Sequence, residues 1–377
     1  MNDKLKEVGV LFFKLGCVAF GGPAAHVAMM QKEIIEKRKW MTQEHFLDLM
    51  GATNLIPGPN STEMTMHCGH ERAGRAGLFV AGICFIFPAV VITLILAYLY
   101  TEYGELPNVA PFILGIKPAV LAIILGAVIK LGKKAVKNYE LAALGVLALV
   151  LSFTGMSEVV ALLLTGVLGM FYFWIKNNKT GGSLNSFLPI IFLQAGQAGS
   201  LFTFSGTTLK VFLTFLKVGA ILYGSGYVLF AYLDAELVAT GLLTRPELID
   251  AIAMGQFTPG PVLSTATFIG YQLNGIPGAM AATVGIFLPS FLFVLILNPW
   301  IPKMRQSKIL SYFLDSVNVA AVAIMIAVLI QMGMDVLIDW RAILICGLAI
   351  FLNFQTKLSS MWIIFGGAVL GYALSFI

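Results

Sequence analysis

Long apolar segments follow one another along nearly the whole chain, and the charged residues gather in the short stretches between them. A helix needs roughly 17–25 mostly apolar residues to cross a bilayer. Segments of about this length are residues 79–100, 108–129, 139–154, 158–175, 279–298, 309–331, 337–353 and 358–377. No segment alternates apolar and polar residues as a membrane β-strand does. The pattern predicts an all-α fold with about ten transmembrane crossings.

Other segments are interrupted by glycine and proline. Residues 8–30 and 208–231 are apolar but contain glycine-rich breaks, while residues 45–68 and 248–271 are less hydrophobic and contain Pro-Gly-Pro. Irregular backbone is tolerated at membrane depth only where protein or a water-filled cavity satisfies its polar groups. We therefore expect broken helices at the first pair of segments. At the second pair we expect two re-entrant hairpins, which enter and leave on one side.

These interruptions occur twice along the chain in the same order. Lys14-Leu-Gly-Cys-Val-Ala-Phe-Gly-Gly-Pro23 recurs 203 residues later as Lys217-Val-Gly-Ala-Ile-Leu-Tyr-Gly-Ser-Gly226. Pro57-Gly58-Pro59 recurs as Pro259-Gly260-Pro261 after 202 residues. Duplicated units with broken helices at matching places are typical of secondary transporters. The predicted regions are a repeat at residues 1–175, a linker at 176–206 and a second repeat at 207–377.

Basic residues indicate how the two repeats are oriented, because short cytoplasmic loops carry an excess of lysine and arginine. Residues 31–45 and 130–138 each carry four, and residues 101–107 carry none. In the second repeat the bias reverses, with three basic residues at 303–308, the counterpart of 101–107. We therefore predict inverted topology, with the linker on the cytoplasmic side and an interfacial helix at Phe187–Leu193 within it.

Composition places the chain in a membrane and argues against several kinds of chemistry. Of its 377 residues, 58% are hydrophobic and 11% are charged, whereas soluble domains carry about 25% charged residues. Mean hydropathy is +0.89. The cysteines are scattered, and the chain has no HExxH, nucleophile elbow or phosphate-binding P-loop. We expect an integral membrane protein that is not an enzyme, has no cofactor or metal site and does not bind nucleic acid.

The glycine-rich breaks are candidate anion-binding sites. Phe20-Gly21-Gly22-Pro23 in the first repeat corresponds to Tyr223-Gly224-Ser225-Gly226 in the second. A break creates a new helix N-terminus, whose free N–H groups and dipole attract anions. The alternative is a packing kink, since glycine and proline are common in membrane helices. The first break could also turn the chain back as a half-helix, and Lys4 and Lys6 argue against the outside N-terminus that the topology requires.

Polar side chains follow each Pro-Gly-Pro motif, as is typical of a helix N-terminus. We predict that they donate hydrogen bonds to an oxyanion; the alternative is that they only cap their own helices. They are Asn60, Ser61 and Thr62 in the first repeat and Ser264 and Thr265 in the second. Asp48 and Asp250 are expected to favour the helix N-termini at the start of each hairpin as structural residues.

Ionisable residues inside apolar segments are further candidates. Lys14 and Lys217 are equivalent by the repeat, and a lysine at such a position indicates a functional site unless it extends to the interface. We expect both to attract or hold the anion. Glu63, His67 and His26 occur only in the first repeat and are candidates for coupling transport to protons. A purely structural pairing of these residues is the alternative.

At these motifs the chain resembles the chromate ion transporter (CHR) family in its two-domain form. The motifs are Phe20-Gly21-Gly22-Pro23, Trp40-Met41-Thr42 leading into Pro57-Gly58-Pro59, Tyr223-Gly224-Ser225-Gly226, and Thr258-Pro259-Gly260-Pro261. The resemblance covers nearly the whole chain apart from the linker. Ser225 stands where the family often has glycine and adds a hydroxyl group to the second motif.

The resemblance implies export of chromate across the cytoplasmic membrane, with sulfate as a structural mimic. The expected partners are a small inorganic anion and the lipid bilayer, and a homodimer is left open. Opposed helix N-termini, hydroxyl donors and two lysines suit a tetrahedral dianion. One alternative is a carrier or leak channel for sulfate or another anion. The other is a membrane-embedded scaffold or enzyme whose motifs serve only helix packing.

Overall fold

The computed structural model describes residues 3–20, 22–53, 55–104, 106, 109–154, 156–177, 207–223, 226–297, 307–356 and 358–376. Within these ranges all regular structure is helical, which confirms the predicted all-α fold. The patch Phe187–Leu193 and three residues of the break motifs, Gly21, Gly224 and Ser225, lie outside the described residues.

The first repeat contains seven α-helices among its described residues. They are α1 Asp3–Val18, α2 Pro23–Gln31, α3 Gln43–Thr53, α4 Asn60–Tyr103, α5 Ala110–Ala135, α6 Tyr139–Phe153 and α7 Glu158–Asn177. A π-helical turn, Lys32–Lys37, extends α2. The predicted breaks within residues 8–30 and 45–68 are confirmed, because α1 is separated from α2 and α3 from α4.

The second repeat follows the same order. Its α-helices are α8 Thr207–Ile221, α9 Leu229–Leu233, α10 Arg245–Phe257, α11 Thr265–Leu297, α12 Lys308–Val336, α13 Trp340–Gln355 and α14 Ser360–Leu374. Short 3₁₀ turns, Gly226–Val228 and Val262–Ser264, precede α9 and α11, and a π-helical turn, Asp234–Val238, extends α9. The predicted breaks within residues 208–231 and 248–271 are also confirmed.

Five helices in the described part of the chain are long and apolar enough to cross a membrane. Three more are apolar but shorter, with 15 or 16 residues each. The long ones are Asn60–Tyr103, Ala110–Ala135, Glu158–Asn177, Val262–Leu297 and Lys308–Val336. The chain is therefore a multi-pass membrane protein. The number of crossings and the opposed orientation of the repeats stay predictions.

Both α4 and α11 bend back sharply within their length. Gly74 has φ 64° and Gly275 has φ 59°, in the left-handed region that glycine adopts without strain. Next to the first bend, Gly69 lies so close to the Gly77 backbone that neither has room for a Cβ, and α11 repeats this contact. The part of each helix before the bend therefore runs beside the part after it.

Two helical hairpins result. The first hairpin consists of α3, the Pro57-Gly58-Pro59 turn and α4 up to its bend; the second consists of α10, the Pro259-Gly260-Pro261 turn and α11 up to its bend. With 11 and 13 residues, α3 and α10 are shorter than the roughly 17–25 residues of a span. These lengths are consistent with re-entrant hairpins.

The two halves pack into one another. The first hairpin helix α4 contacts α11, and α5 contacts α12, α13 and α14 of the second half. Glycines allow the closest approaches: a Cβ at Gly16 of α1 would collide with the carbonyl of Phe85, and one at Gly219 of α8 with that of Ile286. The same crossing thus occurs at equivalent positions in both repeats.

Candidate functional site

The two Pro-Gly-Pro turns are buried, and each contacts the broken helix of the other repeat. The Gly58 N–H donates to the Leu222 carbonyl at 2.6 Å, and the Gly260 N–H donates to the Ala19 carbonyl at 2.9 Å. We call the Gly58–Leu222 contact the first junction and the Gly260–Ala19 contact the second junction. Gly58 has φ 139° and Gly260 has φ 89°, so both turns depend on glycine.

The helix breaks supply the acceptors for these bonds. Ala19 directly follows the end of α1, and Leu222 directly follows the end of α8. Carbonyls at a helix C-terminus have no partner within the helix. The hairpin glycines satisfy one such carbonyl in each repeat. The breaks therefore join the two repeats as well as creating new helix starts.

His26 links three elements next to the junctions. Its Nε2 donates to the Ala19 carbonyl at 2.9 Å, and its Nδ1 is 3.2 Å from the Ser61 hydroxyl. Because a carbonyl only accepts, the neutral ring carries its proton on Nε2 and accepts from Ser61 at Nδ1. His26 and Ser61 are each 1% exposed. The histidine thus holds the start of α4 against the end of α1.

Glu63 lies at the first junction in full burial. Its carboxyl group and the Ser290 hydroxyl occupy the space where a side chain at residue 58 would lie. Neither carboxyl oxygen, nor the hydroxyls of Thr62 and Ser290, has a partner with hydrogen-bond geometry. Tyr223, beside the second break, interacts electrostatically with Glu63. The first junction therefore holds a cluster of unsatisfied buried polar groups, which is unusual in a folded protein.

The hydroxyls near the second junction are satisfied locally. Thr258 donates to the Gly255 carbonyl at 2.9 Å and lies 3.2 Å from the Ser264 hydroxyl. Thr265 donates to the Val262 carbonyl at 2.8 Å. For Ser264 and Thr265 these contacts favour the alternative in which the side chains stabilise their own hairpin.

The remaining residues of the break motifs lie close to the junctions. Gly22, with φ 83°, is the N-cap of α2, and Pro23 is its first residue. The Tyr227 hydroxyl occupies the space next to Gly22. Phe20 is half-buried in the break, and Gly226 is buried at the start of the second repeat's 3₁₀ turn.

Other predicted site residues are placed differently. Asn60 is the first residue of α4 and is half-buried, and His67 is buried one turn after Glu63. Lys14 is exposed on α1, and Lys217 is 42% exposed and forms an ion pair with Glu236 at 2.6 Å. The structure therefore does not bring the two lysines into the buried cluster.

The expected capping role of Asp48 and Asp250 is wrong. The helix α10 begins at Arg245 and is capped by Thr244, which forms a capping box with Glu247. Asp250 lies further along the helix and is buried, and α3 likewise begins at Gln43, before Asp48. The hairpin helices start earlier than hydropathy alone indicates, because their first turns are polar.

The fold and the junctions define the class of the protein. It is a multi-pass helical membrane protein whose broken helices are joined by hydrogen bonds to the opposite hairpins. Among the described residues, no group of three or more His, Cys, Asp or Glu is arranged to hold a metal ion. The sequence profile named "Chromate transporter" matches residues 6–170 and 209–372. The chain belongs to the chromate transporter family, which implies an anion as substrate.

Relatives of nearly the same length carry matching names. A "Probable chromate transport protein" from Synechococcus elongatus is 30% identical over 97% of this chain and 95% of its own length. A "Chromate transport protein" from Cupriavidus metallidurans is 29% identical over 97% and 92%, and one from Pseudomonas aeruginosa is 28% identical over 96% and 90%. These are names of transport proteins and point away from an enzyme. No solved structure matches the chain.

Proposed function

We propose that this protein is a secondary transporter that exports chromate, or a related tetrahedral oxyanion such as sulfate, across the cytoplasmic membrane by alternating access. Family membership and the names of the full-length relatives support chromate as substrate. The observation that carries the site is the pair of reciprocal bonds at the junctions, with unsatisfied polar groups gathered at the first.

The oxyanion binds, in this proposal, between the helix starts at the junctions. In the first turns of α2 and α4 the N–H groups of Ala25, His26, Thr62 and Glu63 donate to the preceding Gly22 and Pro59 carbonyls, which leaves those of Ala24 and Ser61 for the anion. The Thr62 hydroxyl adds a donor at α4 with the Asn60 amide beside it, the Ser61 hydroxyl serves through its bond to His26, and the Tyr223 hydroxyl adds a donor from the second repeat. Neutral donors of this kind can match two negative charges without a metal.

Glu63 links substrate to protons in this proposal. A carboxylate at the first junction would repel a dianion strongly, since charges interact over several ångströms in a protein interior. Glu63 therefore carries a proton whenever the oxyanion is bound, and His67 and His26 are the neighbouring groups that exchange it. Lys14 and Lys217 are exposed, so we assign them the attraction of anions towards the protein.

Alternating access, in this proposal, arises when the two repeats exchange their conformations. The junction bonds tie each hairpin to the opposite repeat, so movement of one half against the other must break and remake them. Two repeats of opposed orientation can exchange conformations and thereby open the site to either side.

Chromate uptake into inside-out vesicles tests the proposal, because uptake there corresponds to export. We expect saturable uptake that vesicles without the protein lack. Thr62→Ala should lower kcat/KM for uptake about tenfold, as expected for one lost hydrogen bond to a charged ligand. The matched control is Thr165→Ala, which removes an equally buried and unpartnered hydroxyl from α7 and should leave uptake within about twofold. Equal losses in both variants would place the substrate elsewhere.

A sulfate carrier and a leak channel are the competing functions. Sulfate that inhibits chromate uptake competitively and is itself taken up at a higher kcat/KM would make sulfate the substrate. A leak channel would show neither saturation nor acceleration of uptake by anion inside the vesicle.

A further inference from the structure

A buried ion pair joins the second hairpin to the first repeat, away from the junctions. Lys117 Nζ is 3.2 Å from Asp250 Oδ2, and the Tyr100 hydroxyl donates to the same oxygen at 2.7 Å. The side chain of Asp250 is 3% exposed and that of Lys117 is 16% exposed. Lys117 lies within the candidate span α5 and Tyr100 near the end of α4, so three elements meet at one carboxyl group.

Charges are costly at such a position. An ionisable residue within a membrane span is rare, and it indicates function unless structure alone explains it. Capping does not explain Asp250, because Thr244 and Glu247 cap α10. Pro118 follows Lys117 and removes a helical hydrogen bond at the same level of α5. The pair thus lies where α5 lacks one backbone hydrogen bond.

The two oxygens of Asp250 differ. Oδ2 receives both contacts, whereas Oδ1 is buried and has no hydrogen-bond partner in the described structure. An acceptor without a donor in a buried site is where a proton can bind. Protonation would neutralise the carboxylate and leave the Lys117 ammonium without its counter-charge.

Few other charged groups face Asp250. Lys117 acts from α5, Tyr100 from α4, and Glu247 from the preceding turn of its own helix. The other helices packed on α10 are α11, α12 and α14, and α11 and α14 contain no Lys, Arg, Asp, Glu or His. Asp335 of α12, like Asp234 of the π-helical turn, pairs with Arg245 instead.

We propose that Asp250 is a second proton-binding site of this transporter, with Lys117 as its counter-charge and Tyr100 as the donor that stabilises the carboxylate. This inference rests on the proposed transport function. Binding of a proton at Oδ1 releases α10 from α5 and α4, so the second hairpin moves only when Asp250 is protonated. The proton returns to water when the Lys117 contact re-forms.

The test uses purified protein in proteoliposomes and compares chromate exchange without a pH gradient with uptake driven by one. In the wild type, acidification by one unit on the substrate side should accelerate uptake up to about tenfold, following proton occupancy. The double variant Asp250→Asn/Lys117→Met removes both charges together, so no unpaired buried charge remains. It should still exchange chromate and should lose the acceleration by the gradient.

The matched control is Lys137→Met/Asp315→Asn, which removes another lysine–aspartate pair, between the α5–α6 loop and α12. Its atoms are 2.7 Å apart, but Lys137 is 58% exposed. This variant should respond to the gradient as the wild type does. Tyr100→Phe provides a second measurement that keeps the ion pair: loss of the donor to the carboxylate should raise the pH of half-maximal uptake by about one unit.

A double variant that keeps the wild-type gradient response overturns the inference, and so does an unchanged pH profile in Tyr100→Phe. Wild-type transport that ignores the gradient also overturns it while leaving the transport function intact. Absence of any chromate transport by the wild type would instead count against the proposed function.

Discussion

The two junctions have the same backbone and different side chains. In each, a glycine of a Pro-Gly-Pro turn donates to the carbonyl that ends the opposite broken helix. The cluster at the first junction is Glu63, Thr62 and Ser290; by the repeat, their counterparts are Thr265, Ser264 and Ala89. The neighbours of the glycines follow this pairing, since Ser290 lies beside Gly58 and Ala89 beside Gly260.

This difference shows which features of a junction are needed to join the repeats and which are additional. The second junction shows what is needed to join the repeats: a glycine, a helix end and satisfied hydroxyls. The first junction has the same parts and adds buried groups without partners, which cost free energy unless a ligand or proton uses them. The asymmetry supports our proposal that substrate and protons bind at the first junction. Four substitutions test it, from the largest expected effect to the smallest.

Gly58→Ala should have the largest effect. It forces alanine to φ 139° and places a Cβ against Glu63 and Ser290, which together should cost about 2–6 kcal/mol. Gly260→Ala places a Cβ 3.1 Å from that of Ala89 and at ordinary contact distance from the Gly16 and Phe85 carbonyls, and should cost about 1–3 kcal/mol. Thermal unfolding in detergent measures both. Gly333→Ala, in α12 with open space around it, is the control and should not lower the midpoint. A larger loss at Gly260 than at Gly58 would contradict the packing described.

His26→Leu replaces the side chain that joins the Ala19 carbonyl of the second junction to Ser61 of α4 with leucine, the residue at the equivalent position 229. The Ala19 carbonyl keeps the Gly260 N–H, but the Ser61 hydroxyl loses its acceptor, so the cost should be about 1–3 kcal/mol. Chromate uptake should fall about tenfold or more, because the start of α4 loses its position. Leu229→Met, a volume-conserving change at the equivalent site, is the control for vesicle uptake. Retained uptake in His26→Leu would make the histidine purely structural.

Ser290→Ala should lower chromate uptake without lowering the stability of the protein. The Ser290 hydroxyl interacts with the Glu63 carboxyl group without full hydrogen-bond geometry, so removal should change the unfolding midpoint little. Uptake should nevertheless fall severalfold, on the order of one hydrogen bond to the bound species. The reciprocal change, Ala89→Ser, adds an unsatisfied hydroxyl at the second junction and should cost about 1–3 kcal/mol. Uptake by Ser290→Ala at the wild-type rate would remove this serine from the site.

Thr265→Val should have the smallest effect. It removes one hydrogen bond, to Val262, and preserves the shape of the side chain, so the cost should be about 1 kcal/mol. The KM for chromate should stay within about twofold if the hydroxyl is only local. A rise in KM like that expected for Thr62→Ala would restore Thr265 to the binding site.

Local signals in the sequence are sufficient to predict where the helices break. Glycine and proline have backbone consequences that do not depend on the rest of the fold, so the breaks before Pro23 and around Gly58 and Gly260 could be predicted. The junction partners could not, because Gly58 and Leu222 are brought together only by the packing of the two repeats. The repeat spacing offered one signal, since it marks Leu222 and Ala19 as equivalent positions.

Lys117 is a functional candidate that the sequence analysis missed although a signal was present. It lies in a segment that hydropathy assigns to a span, and a single charge hardly changes the average over such a window. The signal was present in the adjacent proline and in the cost of a charge in lipid. The capping role predicted for Asp250 is wrong because hydropathy places the start of α10 at its first apolar residues, whereas the helix begins after the Thr244 cap.

The bends at Gly74 and Gly275 are candidate hinges. In each hairpin, the part of α4 or α11 between the Pro-Gly-Pro turn and the bend is an arm that can tilt about the glycine. Neither glycine has a neighbour within 4 Å of the position of a Cβ, whereas the Gly69–Gly77 and Gly270–Gly278 contacts beside them must shift when the arm tilts. The arm of α4 from Asn60 to its bend is about 20 Å long. A tilt of about ten degrees at the glycine would therefore displace the Pro-Gly-Pro tip by about 3 Å, roughly the length of the hydrogen bond that holds it. Small angular changes far from the junctions are thus sufficient to connect or disconnect the two repeats.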